Sequence, residues 1–90
     1  MKAFFARITG RVQGVGFRYY TVNEARRRGI KGWVRNTRGG DVEVWAEGGE
    51  EQLNGFAQWL AAGPAGARVE EVERRDQLPR GIFRDFGVEY

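Results

Sequence analysis

A chain of 90 residues, 41% hydrophobic and with six Phe and three Trp, has material for one compact core, so a single domain over residues 1–90 is expected and disorder is excluded. The absence of Cys and His removes disulfides, thiol nucleophiles, imidazole bases and the usual ligands of zinc, haem and iron–sulfur sites. Net charge is only +3, yet residues 1–38 carry ten Lys or Arg against Glu24 alone, a half that suits nucleic acid, a phosphorylated small molecule or simply a solvated face.

From Phe4 to Val12 the chain alternates, with Phe4, Ala6, Ile8 and Val12 on one side and Arg7, Thr9 and Arg11 on the other, which is strand periodicity. The strand should end near Arg11. Gln13-Gly14-Val15-Gly16 follows as a turn, and Phe17 to Arg28 reads as a polar, arginine-rich helix closed by Gly29, a residue suited to the left-handed position beyond a helix. Two β-rich runs, Ile30 to Thr37 and Val42 to Glu47, flank Arg38-Gly39-Gly40-Asp41 and predict a hairpin.

Glu50 to Ala62 places Leu53, Phe56, Ala57 and Leu60 at helical spacing, with Glu50 and Glu51 at the positive end and Gly63-Pro64 as the stop. In Arg68 to Arg75, Val69 and Val72 fall out of strict alternation, as a bulged strand would make them. After the loop Leu78-Pro79-Arg80-Gly81, the alternation of Phe86, Val88 and Tyr90 predicts a short last strand. The order βαββαβ plus one strand specifies an α+β, ferredoxin-like sandwich: two helices on one face of a mainly antiparallel sheet, the other face partly open to water. That architecture serves many functions, so the activity must come from particular residues.

The segment Gly10-Arg11-Val12-Gln13-Gly14-Val15-Gly16-Phe17-Arg18 joins a strand to a helix in a way that suits an anion. Glycines 14 and 16 let successive N–H groups turn inward as a nest, and the first helical turn leaves further donors free. Arg18 can fold back over the same anion with two parallel charge-assisted hydrogen bonds. The plainer alternative is a tight turn followed by a solvated Arg, since the spacing matches neither a P-loop nor a dinucleotide fingerprint. In Gly32-Trp33-Val34-Arg35-Asn36-Thr37-Arg38-Gly39-Gly40-Asp41-Val42, Asn36 stands out at a strand end, where its amide can accept and donate, or merely start the turn.

These two blocks together resemble the signatures of the acylphosphatase family, G-[KR]-V-Q-G-V-x-F-R and G-W-V-x-N-x-x-x-G-x-V, and the likeness extends over the chain length and element order. The resemblance implies hydrolysis of acyl phosphates to a carboxylate and inorganic phosphate, with no metal and no cofactor. It implies a phosphate cradle made of Gln13, Gly14, Val15, Gly16, Phe17 and Arg18, in which Arg18 binds the phosphate beside the N–H groups of Val15 to Arg18. By the same resemblance Asn36 orients the attacking water. Three departures stand out: Gly39 where Asp is frequent, Arg28 where Leu is frequent and Gly16 where an aromatic is frequent. They predict a looser hairpin, an Arg28 stem lying along the sheet edge and a more flexible cradle.

The expected partners are a small acyl phosphate and inorganic phosphate, with the chain a cytoplasmic monomer. No run approaches the roughly twenty apolar residues of a membrane helix, and charge at Lys2 and Arg7 comes too early for a secretory signal. The rival from another class is an RNA-binding module that stacks bases on Trp33 and Trp45, though both residues equally suit packing on the sheet and no RNA-recognition signature accompanies them. A second rival is a non-catalytic relative or a module fused to a larger enzyme, although such an inactive relative would be expected to lack Arg18 or Asn36.

Overall fold

The computed structural model describes residues 1–90 as β1 (Lys2–Arg11), α1 (Phe17–Arg27), β2 (Lys31–Asn36), β3 (Val42–Gly48), α2 (Glu50–Ala62), β4 (Arg68–Gln77) and β5 (Phe86–Val88). The strands form one sheet in the order β4-β1-β3-β2-β5, antiparallel throughout except that β5 runs parallel to β2. Both helices cover one face, which gives the α+β, ferredoxin-like sandwich.

Alternation along β1 and β3 decides which face is buried. Phe4, Ala6 and Ile8 point inward and pair with Ala46, Val44 and Val42, all of them fully buried. α1 meets this face through Phe17, Thr21 and Ala25, and α2 through Leu53, Phe56 and Leu60, each an apolar stripe recurring at three- or four-residue spacing. Phe56 sits at the centre, stacked 6.3 Å from Phe4 and edge-on 5.8 Å from Phe86, so one ring ties α2 to an inner strand and to the sheet edge.

α1 ends one residue earlier than the sequence suggests. Gly29, at φ 72°, donates to the carbonyl of Arg26, and Ile30 donates to that of Ala25, a Schellman closure. Arg28 does not lie along the sheet edge as expected. Its Nε donates to Glu24 at 2.7 Å, and its guanidinium rests on Gly55 of α2, where a Cβ would collide with Nη1. The expected bulge in β4 is present: Thr9 pairs with Glu71 and Gly10 with Val69, which leaves Glu70 as the extra residue. β4 runs two residues further than expected, is largely exposed and leaves its outer edge unpaired. β5 stops at Val88, because the last ladder bond runs from the Glu89 N–H to the Val34 carbonyl and leaves Tyr90 without a strand partner.

On the open face a row of charges, Arg7–Glu43–Arg35, crosses three strands beside the row Phe5–Trp45–Trp33. The guanidinium of Arg35 lies 4.7 Å from the Trp33 ring centre and that of Arg80 lies 5.2 Å from Trp45, so both indoles pack against the protein's own cations.

β4 and β5 occupy opposite edges of the sheet, so the 78–85 connection must cross it, and Glu47 is the tether. This carboxylate is 2% exposed and accepts from the N–H groups of Arg80 at 2.7 Å and Gly81 at 3.1 Å and from the Trp45 indole at 2.8 Å. Burial alone would raise its pKa, but these three donors outweigh burial and hold it below the ordinary carboxylate range. Stability from Glu47 is therefore complete above the ordinary carboxylate pKa and is lost as pH falls through the depressed folded value. Glu47→Ala should lose about 3 kcal/mol in denaturant titration at neutral pH, since it strands three donors. Wild type should lose stability in acid more steeply than Glu47→Gln.

Candidate active site

The register of the central strands gathers the site. β1 runs outward to Arg11 at the same end where β3 begins at Val42 and β2 finishes at Asn36. The β1–α1 connection therefore emerges beside the β2–β3 turn, and the two sequence blocks that lie apart in the chain become neighbours.

The connection turns on two glycines in the left-handed region, Gly14 at φ 75° and Gly16 at φ 77°. Gly16 is the residue before the first turn of α1, and its carbonyl accepts the first helical bond, from Tyr20, at 3.1 Å. No backbone carbonyl takes the N–H groups of Val15, Gly16, Phe17, Arg18 or Tyr19. The result is a run of free donors at the positive end of a helix, the geometry that suits tetrahedral anions. Gly16 gives this cradle an unstrained left-handed turn. The side chains of Val15 and Phe17 turn into the protein, Phe17 fully, and leave only their backbone for a ligand.

Arg18 and Asn36 line one cleft of about 450 Å³, together with Gly14, Gly16, Val22 and Tyr90. Half-buried Arg18 forms no ion pair, whereas Arg26, on the same wall, is held by Asp85 at 3.0 Å and by the Phe86 carbonyl at 3.0 Å. The Arg18 guanidinium lies 5.6 Å from the Tyr90 ring centre. The side-chain oxygen of Asn36, like Thr21 Oγ1, is buried and has no hydrogen-bond partner, a state that costs free energy. A larger cleft of about 750 Å³ lies near Lys2, at the other end of β1, and contains neither residue.

Glu43 is in the adjoining cleft, which shares Asn36. Burial pushes its pKa up, but hydrogen bonds from Arg7 at 3.0 Å and Arg35 at 2.9 Å prevail and keep it below the ordinary range. It is a committed anion and a poor proton acceptor.

One contact is not legible in the spacing of residues. The side chain of Gln13 points away from the cleft and donates through Nε2 to the carbonyls of Thr37 and Asp41, both at 2.8 Å. Those residues close the β2–β3 turn, which is also held by the bond from the Thr37 N–H to the Asp41 carbonyl at 2.9 Å and from the Asp41 N–H to Thr37 Oγ1 at 3.1 Å. The turn is thus held by these four hydrogen bonds, none of which involves Gly39.

The site is rich in donors, poor in bases and built on an α+β sandwich, an arrangement whose backbone N–H groups suit phosphate-type anions. A model of the acylphosphatase family matches residues 4–88. The acylphosphatase of Geobacter sulfurreducens is 47% identical over 83 residues, covering 92% of this chain and 91% of that one. The crystal structure of an acylphosphatase from Bacillus subtilis superposes with a TM-score of 0.96 at 34% identity, each chain covered in full. HypF of T. kodakarensis matches all of this chain with 12% of its own length, at a TM-score of 0.85 and 32% identity. The chain belongs to the acylphosphatase family, hydrolases that act on acid anhydrides.

The left-handed glycines give a direct test of the cradle. A Cβ at Gly14 would meet nothing within 4 Å, so Gly14→Ala isolates the backbone effect and should cost about 1–2 kcal/mol in denaturant titration. Gly16→Ala should cost more, because the Tyr20 ring, 3.3 Å from the new Cβ, must also move.

Proposed function

We propose that the chain hydrolyses small acyl phosphates, with the 13–18 loop and Arg18 holding the phosphoryl group and Asn36 placing the attacking water. The observation that carries this reading is the meeting, in one cleft, of a run of free N–H donors, an arginine without a carboxylate partner and the Asn36 side chain.

The chemistry needs little more. A carboxyl phosphate is a mixed anhydride: water oxygen bonds to phosphorus, the bond from phosphorus to the carboxyl oxygen breaks, and the carboxylate leaves with the electron pair. That leaving group is a weak base and needs no proton, which suits a chain without histidine. A loose phosphoryl transfer asks for alignment and for donors aimed at the equatorial oxygens, and the nest and Arg18 supply both. Asn36 lines the cleft, and its side-chain amide holds the water in line; an amide is no base, so the released proton passes to a phosphate oxygen.

Metal and cofactor play no part in this reading. The charged side chains lining the cleft, Arg18 and Arg26, have the wrong sign for a metal, and no three potential ligands among Asp and Glu cluster anywhere. The catalytic pair comes from one chain, which supports action as a monomer, and the self-packed Trp33 and Trp45 support a small-molecule substrate over nucleic acid. No helix is long and apolar enough to cross a membrane, and a cytoplasmic location is part of this proposal.

The test is hydrolysis of a synthetic acyl phosphate in chelator. Loss of one well-aimed donor costs roughly a hundred- to a thousandfold, so Arg18→Ala and Asn36→Ala should each lose at least that much. Arg18→Ala should also weaken inhibition by inorganic phosphate, whereas Asn36→Ala should keep that inhibition and lose chiefly turnover. Near-wild-type turnover by Asn36→Ala would remove its assigned role, and dependence on added metal would overturn the mechanism.

A further inference from the structure

We infer that Gln13 is a positioning residue that sets the distance between the phosphate cradle and Asn36. It rests on the reading of Asn36 given above and assigns Gln13 no contact with substrate.

Gln13 belongs to the loop through its backbone, yet its side chain reaches across to a segment 24 and 28 residues away in sequence. Both acceptors are carbonyl oxygens, so the amide orientation is settled: NH2 faces the turn and both its protons are engaged. The two carbonyls mark the ends of the turn. Thr37 directly follows Asn36, Asp41 directly precedes Val42, and Asn36 with Val42 is the last pair of the β2–β3 ladder. A single amide group thus fastens the loop to the frame that carries Asn36.

No other side-chain bond does this. Asn36 makes no side-chain hydrogen bond in the protein, and its Oδ1 is buried without a partner. Its position therefore follows from the backbone of the last β2 residue, and the Gln13 side chain is what relates that backbone to the nest. The residue type is demanding. Glutamate at this place would set oxygen against two carbonyl oxygens, Met has similar length with no donor, and Asn is one methylene too short to reach both acceptors.

The discriminating measurement is a double-mutant cycle on acyl phosphate hydrolysis, with inorganic phosphate inhibition read in parallel for wild type, Gln13→Met, Asn36→Ala and the pair. A misplacement on the scale of an ångström costs up to about a hundredfold, so Gln13→Met should lower kcat by roughly ten- to a hundredfold. Phosphate inhibition and KM should change by less than about threefold, since the N–H nest and Arg18 remain. In the Asn36→Ala background Gln13→Met should lower kcat by less than about threefold further, because a residue acting through Asn36 has nothing left to place. Gln13→Asn, which keeps the donors on a shorter stem, should fall between wild type and Gln13→Met and serves if the Met variant folds poorly.

Losses that multiply in the double variant would overturn the inference, as would weakened phosphate inhibition with kcat retained, which would put the Gln13 side chain in the cradle itself. An inactive Asn36→Ala beside a fully active Gln13→Met sinks this inference alone. A fully active Asn36→Ala sinks the assigned role of Asn36 and this inference with it.

Discussion

The register of β1 on β3 and of β3 on β2 is the constraint from which the rest follows. Ile8 opposite Val42, and Val42 opposite Asn36, bring the exit of one strand, the start of a second and the end of a third to the same corner of the sheet. A slip of one residue would turn Phe4, Ala6 and Ile8 to the open face and bury Arg7, a loss no local adjustment could offset. Burial of the even-numbered residues thus enforces a register, and that register brings a glycine loop against an asparagine from a distant part of the chain. The site is a by-product of core packing at one end of the ladder, sharpened by the Gln13 amide.

Charge follows the same logic. The basic first half looks like an anion-binding surface when read along the chain, but folding neutralises much of it across elements. Glu43 takes Arg7 and Arg35, Asp85 takes Arg26, and Glu24 takes Arg28 together with Arg27. Within the cleft Arg18 is left without a carboxylate. An unpaired cation next to oriented N–H groups is worth more than a diffuse positive face, because the anion gains fixed partners at short range while distant charges are screened within about 10 Å.

What could be read from sequence was what depends on local pattern. The bounds of α2 came directly from its apolar spacing and the Gly63 stop, and the β4 bulge from two valines out of step, because both are properties of neighbouring residues. Gly14 and Gly16 were legible for the same reason: a left-handed backbone demands glycine locally. The contacts that were missed join distant segments. Gln13 reads as a turn residue, Glu47 only as the end of a β-rich run and Arg28 as a snorkelling side chain, and only tertiary structure gives them their acceptors, donors and resting place. The end of β5 was overestimated because the alternation of Phe86, Val88 and Tyr90 continues past the point where β2 can offer a partner.

The outer edge of β4 carries one further consequence. Seven of its ten residues are charged, in the run Arg-Val-Glu-Glu-Val-Glu-Arg-Arg-Asp-Gln, and the bulge at Glu70 interrupts its ladder. An open strand edge invites another chain to continue the sheet, but any incoming strand here would have to accommodate both signs of charge and a kinked backbone. The most exposed strand is thereby a poor template for another chain to extend the sheet.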